Sequence, residues 1–178
     1  MSEQANAILA GGCFWCTEAV FRDVIGVSGV ESGYIGGTVP QPSYKQVCSG
    51  TTGHAEAIRI TYDPTQLSYG DLADIFMVTH DPTQLNRQGN DVGTQYRSAI
   101  FPLDADQRAG AEAAIARAQT DLSAPVVTTI EGPAEWYPAE DYHQDYWADE
   151  GQRNPYCLAV IPPKLQKLRK GFAAKVKA

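Results

Sequence analysis

The chain has 178 residues, of which 43% are hydrophobic, and a formal net charge of -7 at pH 7. That length suits a single domain over residues 1–178 and is short for two cores, while the negative charge excludes nucleic acid as the main partner, because phosphate binding needs a basic surface. No stretch approaches the roughly 20 apolar residues that span a bilayer, and the opening residues lack the basic and apolar regions of a secretory signal, so a cytoplasmic protein with no membrane partner is expected.

Residues 7–10, Ala-Ile-Leu-Ala, read as a short buried strand. Gly11-Gly12 lets the backbone turn tightly, and apolar residues recur at helical spacing over 15–21. Cys13 therefore falls at a helix start, where unpaired amides and the positive end of the helix dipole favour the thiolate. A strand follows over 27–35, then a long polar loop over 38–53. Residues 55–62 alternate, which puts Glu56 on one face with Ile58, Ile60 and Tyr62. A carboxyl on that apolar side is desolvated and its pKa should rise.

Ser68 caps a helix to about residue 79, with Asp71 completing a capping-box-like start. A second polar loop covers 80–96, a strand 98–101, an amphipathic helix from Asp104 to about 119, and a β-branched strand 126–130. A helix over 140–150, a strand-like run over 156–161 and a basic C-terminal helix or tail over 164–178 complete the reading. That tail holds Lys164, Lys167, Arg169, Lys170, Lys175 and Lys177 without an acidic residue, the pattern of a solvated face. Strands and helices alternate without strict βαβ spacing, so the expected class is α/β (α+β), a two-layer sandwich around a small sheet.

In a reducing compartment the pair Cys13-x-x-Cys16 is more often catalytic or metal-binding than a structural staple. Cys48 and Cys157 have no short-spaced partner, which argues against zinc, and no metal is expected. On the residues alone, a thioredoxin-like dithiol oxidoreductase is a rival reading of Cys13-x-x-Cys16, although only about a dozen residues precede the motif where that fold needs a strand and a helix. A metal- or peptide-binding module using the long loops is a second.

The motifs Gly12-Cys13-Phe14-Trp15, Gly33-Tyr34-Ile35-Gly36-Gly37, Pro42-Ser43-Tyr44, Thr52-Gly53-His54-Ala55-Glu56, His80-Asp81-Pro82 and residues 88–98 follow one another in an order that resembles the A-type peptide-methionine sulfoxide reductases. The resemblance runs from about residue 7 to about Cys157. It implies a ferredoxin-like core, no cofactor, and reduction of the S epimer of methionine sulfoxide, free or in proteins, with thioredoxin as reductant. It implies Cys13 as nucleophile, passing through a sulfenic acid, and Glu56 as the acid that protonates the departing oxygen. Tyr44 and Tyr96 match the tyrosines that hydrogen-bond that oxygen, Asp91 a polar residue that orients its neighbours, and Phe14 and Trp15 the apolar cradle of the substrate's methyl group. His54 has no acid-base role by that resemblance, and His80 and His143 are read as structural. A monomer is expected.

The cysteine that resolves the sulfenic acid is where this chain departs from the family pattern. Many members carry it in a glycine-rich tail, and Cys157 aligns there, but Leu158-Ala159-Val160-Ile161 follows it without a glycine. Cys16 stands where glycine is common, and residues three apart at a helix start have α-carbons about 5 to 6 Å apart, a separation that suits a disulfide. The reading favours Cys16 over Cys157, with Cys48 third.

Overall fold

The computed structural model describes residues 4–177. The opening segment read for a secretory signal and the last residue of the basic tail extend to residues 1–3 and 178, which lie outside the described residues. In chain order the elements are β1 (Ala5–Gly11), α1 (Phe14–Arg22), β2 (Val27–Ile35), α2 (Tyr44–Cys48), β3 (Ala55–Tyr62), α3 (Tyr69–Thr79), β4 (Arg87–Gln88) and β5 (Asp91–Val92). They continue with β6 (Ser98–Phe101), α4 (Ala105–Thr120), β7 (Thr129–Ile130), β8 (Tyr137–Pro138), α5 (Tyr146–Asp149) and α6 (Pro155–Gly171).

One sheet carries the strand order β7-β6-β1-β3-β2-β8, and β4 and β5 form a separate small hairpin. Its four inner strands, taken in chain order as first to fourth, lie fourth-first-third-second, each antiparallel to its neighbours, with α1 and α3 as the two crossover helices. This is the ferredoxin-like arrangement. Alternation in β3 drives it locally: Ile58, Ile60 and Tyr62 all join the core beneath the helices, with Leu9, Phe21, Leu72, Phe76 and Leu168. Burial of each such side chain contributes roughly 1.5–3 kcal/mol. The opposite face is thinner, with Ile8, Ala10, Ile35 and Phe101 beside Trp136. Among the described residues no helix is long and apolar enough to cross a membrane.

Three segments differ from expectation. Residues 156–161 are helix rather than strand, the first turns of α6. Asn154 caps that helix by accepting from the Tyr156 amide at 2.9 Å, Pro155 occupies its first turn, and Cys157, Ile161, Leu165 and Leu168 form its buried stripe. The β-branched composition misled, because tertiary burial of that stripe outweighs strand propensity. Pro162 and Pro163 lie inside the helix and donate nothing to the carbonyls four residues back.

The helix expected over 140–150 is broken into a 3₁₀ turn at Asp141–His143 and the short α5, with Asp145 left-handed at φ 53° between them. Side chains and amides here are held by different elements. The Gln144 amide group bonds the Ser32 backbone, the Tyr146 amide donates to Glu18 at 3.1 Å, and Glu140 accepts from Tyr34. Only Thr129–Ile130 of the strand expected over 126–130 joins the sheet, because the Val126 amide donates to Gln119 and that of Val127 to the Pro82 carbonyl.

Both long loops contain local structure. Ser43 and Gln46 form a full capping box that starts α2, and the second loop folds into the β4-β5 hairpin and a 3₁₀ turn at Thr94–Tyr96.

Candidate active site

Gly12 makes the turn between β1 and α1 at φ 93°, a conformation that L side chains rarely adopt, and a Cβ there would meet Gln88 at 2.6 Å. The turn delivers Cys13 as the N-cap of α1, with its side chain 8% exposed. Glu56 stands at the near end of β3 on the helix-covered face, 1% exposed. Its Oε1 accepts from the Phe14 amide at 3.2 Å, and its Oε2 is buried with no partner. Burial is the main force pushing its carboxyl up to about 8, and the negative charges of Asp91 and Cys16 add to it. The acid is thus protonated near neutral pH, with one oxygen free to donate.

A cavity of about 170 Å³ is lined by Cys13, Trp15, Tyr44, Asp91, Tyr96, Asn154 and Tyr156. Trp15 forms its apolar wall. Its ring stacks on Tyr146 at 4.0 Å between centroids and on Tyr44 at 6.1 Å, and its Nε1 donates to His143 Nδ1 at 3.0 Å. Tyr44 and Tyr96 both line the cavity, so two loops distant in sequence meet across it. Burial, and then the nearby Glu56, push both phenols above their ordinary range, which keeps them neutral hydrogen-bond donors.

The sequence-predicted residues converge around Cys13, with three corrections. Glu56 is buried against the Phe14 amide and does not line this cavity. Phe14 is fully buried and forms no part of the cavity wall; it packs behind Trp15 and Tyr44 and against Tyr34 and His143. The first turn of α1 points Phe14 inward because the same turn exposes Trp15. The thiol of Cys13 is raised, not lowered. Its hydrogen bond to Cys16 and its burial outweigh the one favourable contact from the Trp15 amide. Cys16 is lowered by that same hydrogen bond, against its burial, with Lys164 adding to the effect.

Asp91 accepts from the Tyr156 hydroxyl, which aims a third phenol into the cavity. Tyr156, Asn154 and Tyr146 have no role in the sequence reading, and His143, read there as structural, is buried and accepts from the Trp15 ring. The first three adjoin the start of α6 or form α5, and the Asn-Pro helix start was the signal available for them. His54 is a structural clamp: its Nδ1 accepts from the Gly37 amide at 3.0 Å, and its Nε2 bonds the Val39 carbonyl at 2.7 Å. His80 is buried against the Phe76 carbonyl and the Ser98 hydroxyl, and burial pushes its pKa down to about 3. Cys157 is fully buried in α6, and burial raises its thiol to about 11. Cys48 is half-buried at the end of α2. Among the described residues no group of three or more His, Cys, Asp or Glu side chains is placed to hold a metal ion.

A thiol pair, a carboxyl that holds its proton at neutral pH and a set of phenol donors around one apolar wall define a thiol-enzyme type of site. The family model described as peptide methionine sulfoxide reductase matches residues 5–176. The chain is similar to the peptide methionine sulfoxide reductase MsrA of Erwinia tasmaniensis, 70% identical over 94% of each chain. The MsrA of Deinococcus radiodurans is 56% identical over 98% of this chain and 85% of its own. Among solved structures, Mxr1 from Saccharomyces cerevisiae in reduced form matches with a TM-score of 0.79 at 34% identity, covering 84% of this chain and 87% of its own. Mxr1 in complex with Trx2 shares the fold at 22% identity and a TM-score of 0.59, over 81% and 85% of the two chains. The chain belongs to the peptide methionine sulfoxide reductase family.

Proposed function

We propose that the protein reduces the S epimer of methionine sulfoxide, free or in proteins, to methionine. The observation that carries the reading is the juxtaposition of Cys13 with Glu56, whose protonated carboxyl is hydrogen-bonded to the residue after the thiol. Sulfoxide reduction needs a nucleophile on sulfur and a proton on oxygen together, since a bare oxide is a prohibitively basic leaving group. Cys13 Sγ attacks the sulfoxide sulfur as its thiolate, the thiol proton having gone to solvent. Glu56 protonates the oxygen, which Tyr44 and Tyr96 hold with hydrogen bonds, and the substrate methyl lies on Trp15. Methionine leaves, and Cys13 carries the oxygen as a sulfenic acid.

Cys16 then attacks Cys13 Sγ. The Cys13–Cys16 disulfide forms, and the oxygen departs as water. Supporting this assignment, Cys16 has the lower thiol pKa of the pair and sits one turn away on α1, whereas Cys157 is enclosed in the first turn of α6 with a raised pKa. A dithiol reductant restores the pair. Thioredoxin fits the role, as the yeast relative Mxr1 occurs in complex with Trx2. Four free cysteines suit a cytoplasmic setting.

The deciding assay incubates the purified protein with separated S and R epimers and dithiothreitol and quantifies methionine. Turnover of the S epimer with little of the R epimer supports the reading; equal turnover of both overturns it.

A further inference from the structure

The cysteine pair has two approaches. Besides the sulfoxide cavity, a second cavity of about 340 Å³ opens onto the pair from the side of α6 and the β4-β5 hairpin, lined among others by Cys13, Cys16, Asn90, Tyr156, Ala159 and Lys164. Cys13 and Tyr156 line both cavities and form the partition. Cys16 lines only the second. This cavity also holds a cation awaiting an anion. Lys164 Nζ donates to the Thr79 carbonyl at 3.0 Å and, among the described residues, makes no ion pair.

We propose that the second cavity is the port for the reductant, a site that takes the thiolate of a dithiol and holds its charge on the Lys164 ammonium, apart from the cavity that takes the sulfoxide. The proposal rests on the reading that Cys13 and Cys16 form the catalytic disulfide. Thiol–disulfide exchange proceeds with the attacking sulfur in line with the bond it breaks. With Cys13 occupying the sulfoxide side, the far side of Cys16 Sγ is reached from the second cavity. The incoming thiolate attacks Cys16 Sγ, a mixed disulfide forms, the Cys13–Cys16 bond breaks, and Cys13 leaves as a thiolate that takes up a proton. The second thiol of the reductant, deprotonated, then attacks its own sulfur in the mixed disulfide. The reductant departs as a disulfide, and Cys16 is released as a thiolate beside Lys164. The reductant loses two electrons and the protein pair gains them. The lowering of the Cys16 thiol by Lys164 agrees with this placement.

The test separates the two half-reactions. Enzyme oxidised by one equivalent of the S sulfoxide without reductant is mapped for its disulfide, then mixed with dithiothreitol or thioredoxin while free thiols are followed in time. Ala159 is exposed on α6, so Ala159→Trp fills the port without entering the core. It should leave the first, stoichiometric methionine release unchanged and slow disulfide reduction by about tenfold or more. Lys164→Met should slow the same step by about tenfold, the lower end of electrostatic steering effects, and Lys164→Arg should restore most of it. A mapped Cys13–Cys16 disulfide that both Ala159→Trp and Lys164→Met reduce at the unmodified rate overturns the port and leaves the sulfoxide chemistry standing. A mapped Cys13–Cys157 disulfide overturns the port together with the assignment of Cys16.

Discussion

The backbone amide of Phe14 donates to Glu56 Oε1 at 3.2 Å, which ties the carboxyl of β3 to the residue that follows Cys13. This bond holds the carboxyl against the start of α1 through the backbone, the stiffest part of the site, and among the described residues the buried Oε2 has no hydrogen-bond partner.

Removing the nucleophile should abolish turnover. Cys13→Ser is expected to yield no methionine from the S epimer even with excess dithiothreitol, which can replace a resolving thiol but not the attacking one. Substantial methionine in that assay would remove Cys13 from the mechanism.

Glu56→Ala should slow formation of the sulfenic acid by on the order of 10²-fold, the usual scale for a general acid, and Glu56→Gln should retain part of the rate because an amide still donates a hydrogen bond. Because the carboxyl titrates at about 8, the single-turnover rate should fall as pH rises through that value. Glu56→Gln should lose that particular decline. An unaltered profile in the glutamine variant would assign the titration to another group.

The same carboxyl lowers stability at neutral pH. Its pKa is about 8 in the folded protein against 4.5 for the ordinary carboxyl, so between those values the unfolded chain has released a proton that the folded chain retains. Stability contributed by this group is present below pH 4.5 and is lost progressively up to about pH 8. Glu56→Gln removes the loss, and its thermal midpoint should exceed that of the unmodified protein by a margin that grows from pH 5 to pH 8, as the difference in unfolding free energy grows toward a few kcal/mol. Equal midpoints at pH 8 would contradict the burial of an ionisable group at this position.

Tyr44→Phe and Tyr96→Phe should each reduce the chemical step less than Glu56→Ala, since the remaining donors still hold the oxygen. The double variant should lose more than the sum of the two in free energy, because both hydroxyls address one atom. Strict additivity would place them on different atoms.

Cys16→Ser should lose cycling supported by thioredoxin and keep the assay with dithiothreitol, whereas Cys157→Ser should keep both. The reverse pattern would move the resolving role to α6.

Much of this molecule was legible in its residue order. The strands 27–35, 55–62 and 98–101 and the helix after Ser68 were read at their observed bounds, because alternation and a capping box are local signals that burial then reinforces. The place of Glu56 among Ile58, Ile60 and Tyr62 puts it on the apolar side, the surrounding motif makes it an acid, and the two glycines before Cys13 mark a helix-start thiol. What the tertiary structure decided was whatever depends on contacts between distant segments. Tyr156 became a site residue only because α6 meets the β4-β5 hairpin and Asp91 takes its hydroxyl. Phe14 went behind the wall while Trp15 formed it, because the packing of α1 on the sheet chooses which of two adjacent aromatics faces inward. The state of the Cys13 thiol was likewise beyond the sequence. A helix start favours the thiolate, but burial and the shared proton of Cys16 oppose it, and their balance depends on distances and on excluded water that exist only once the chain has folded.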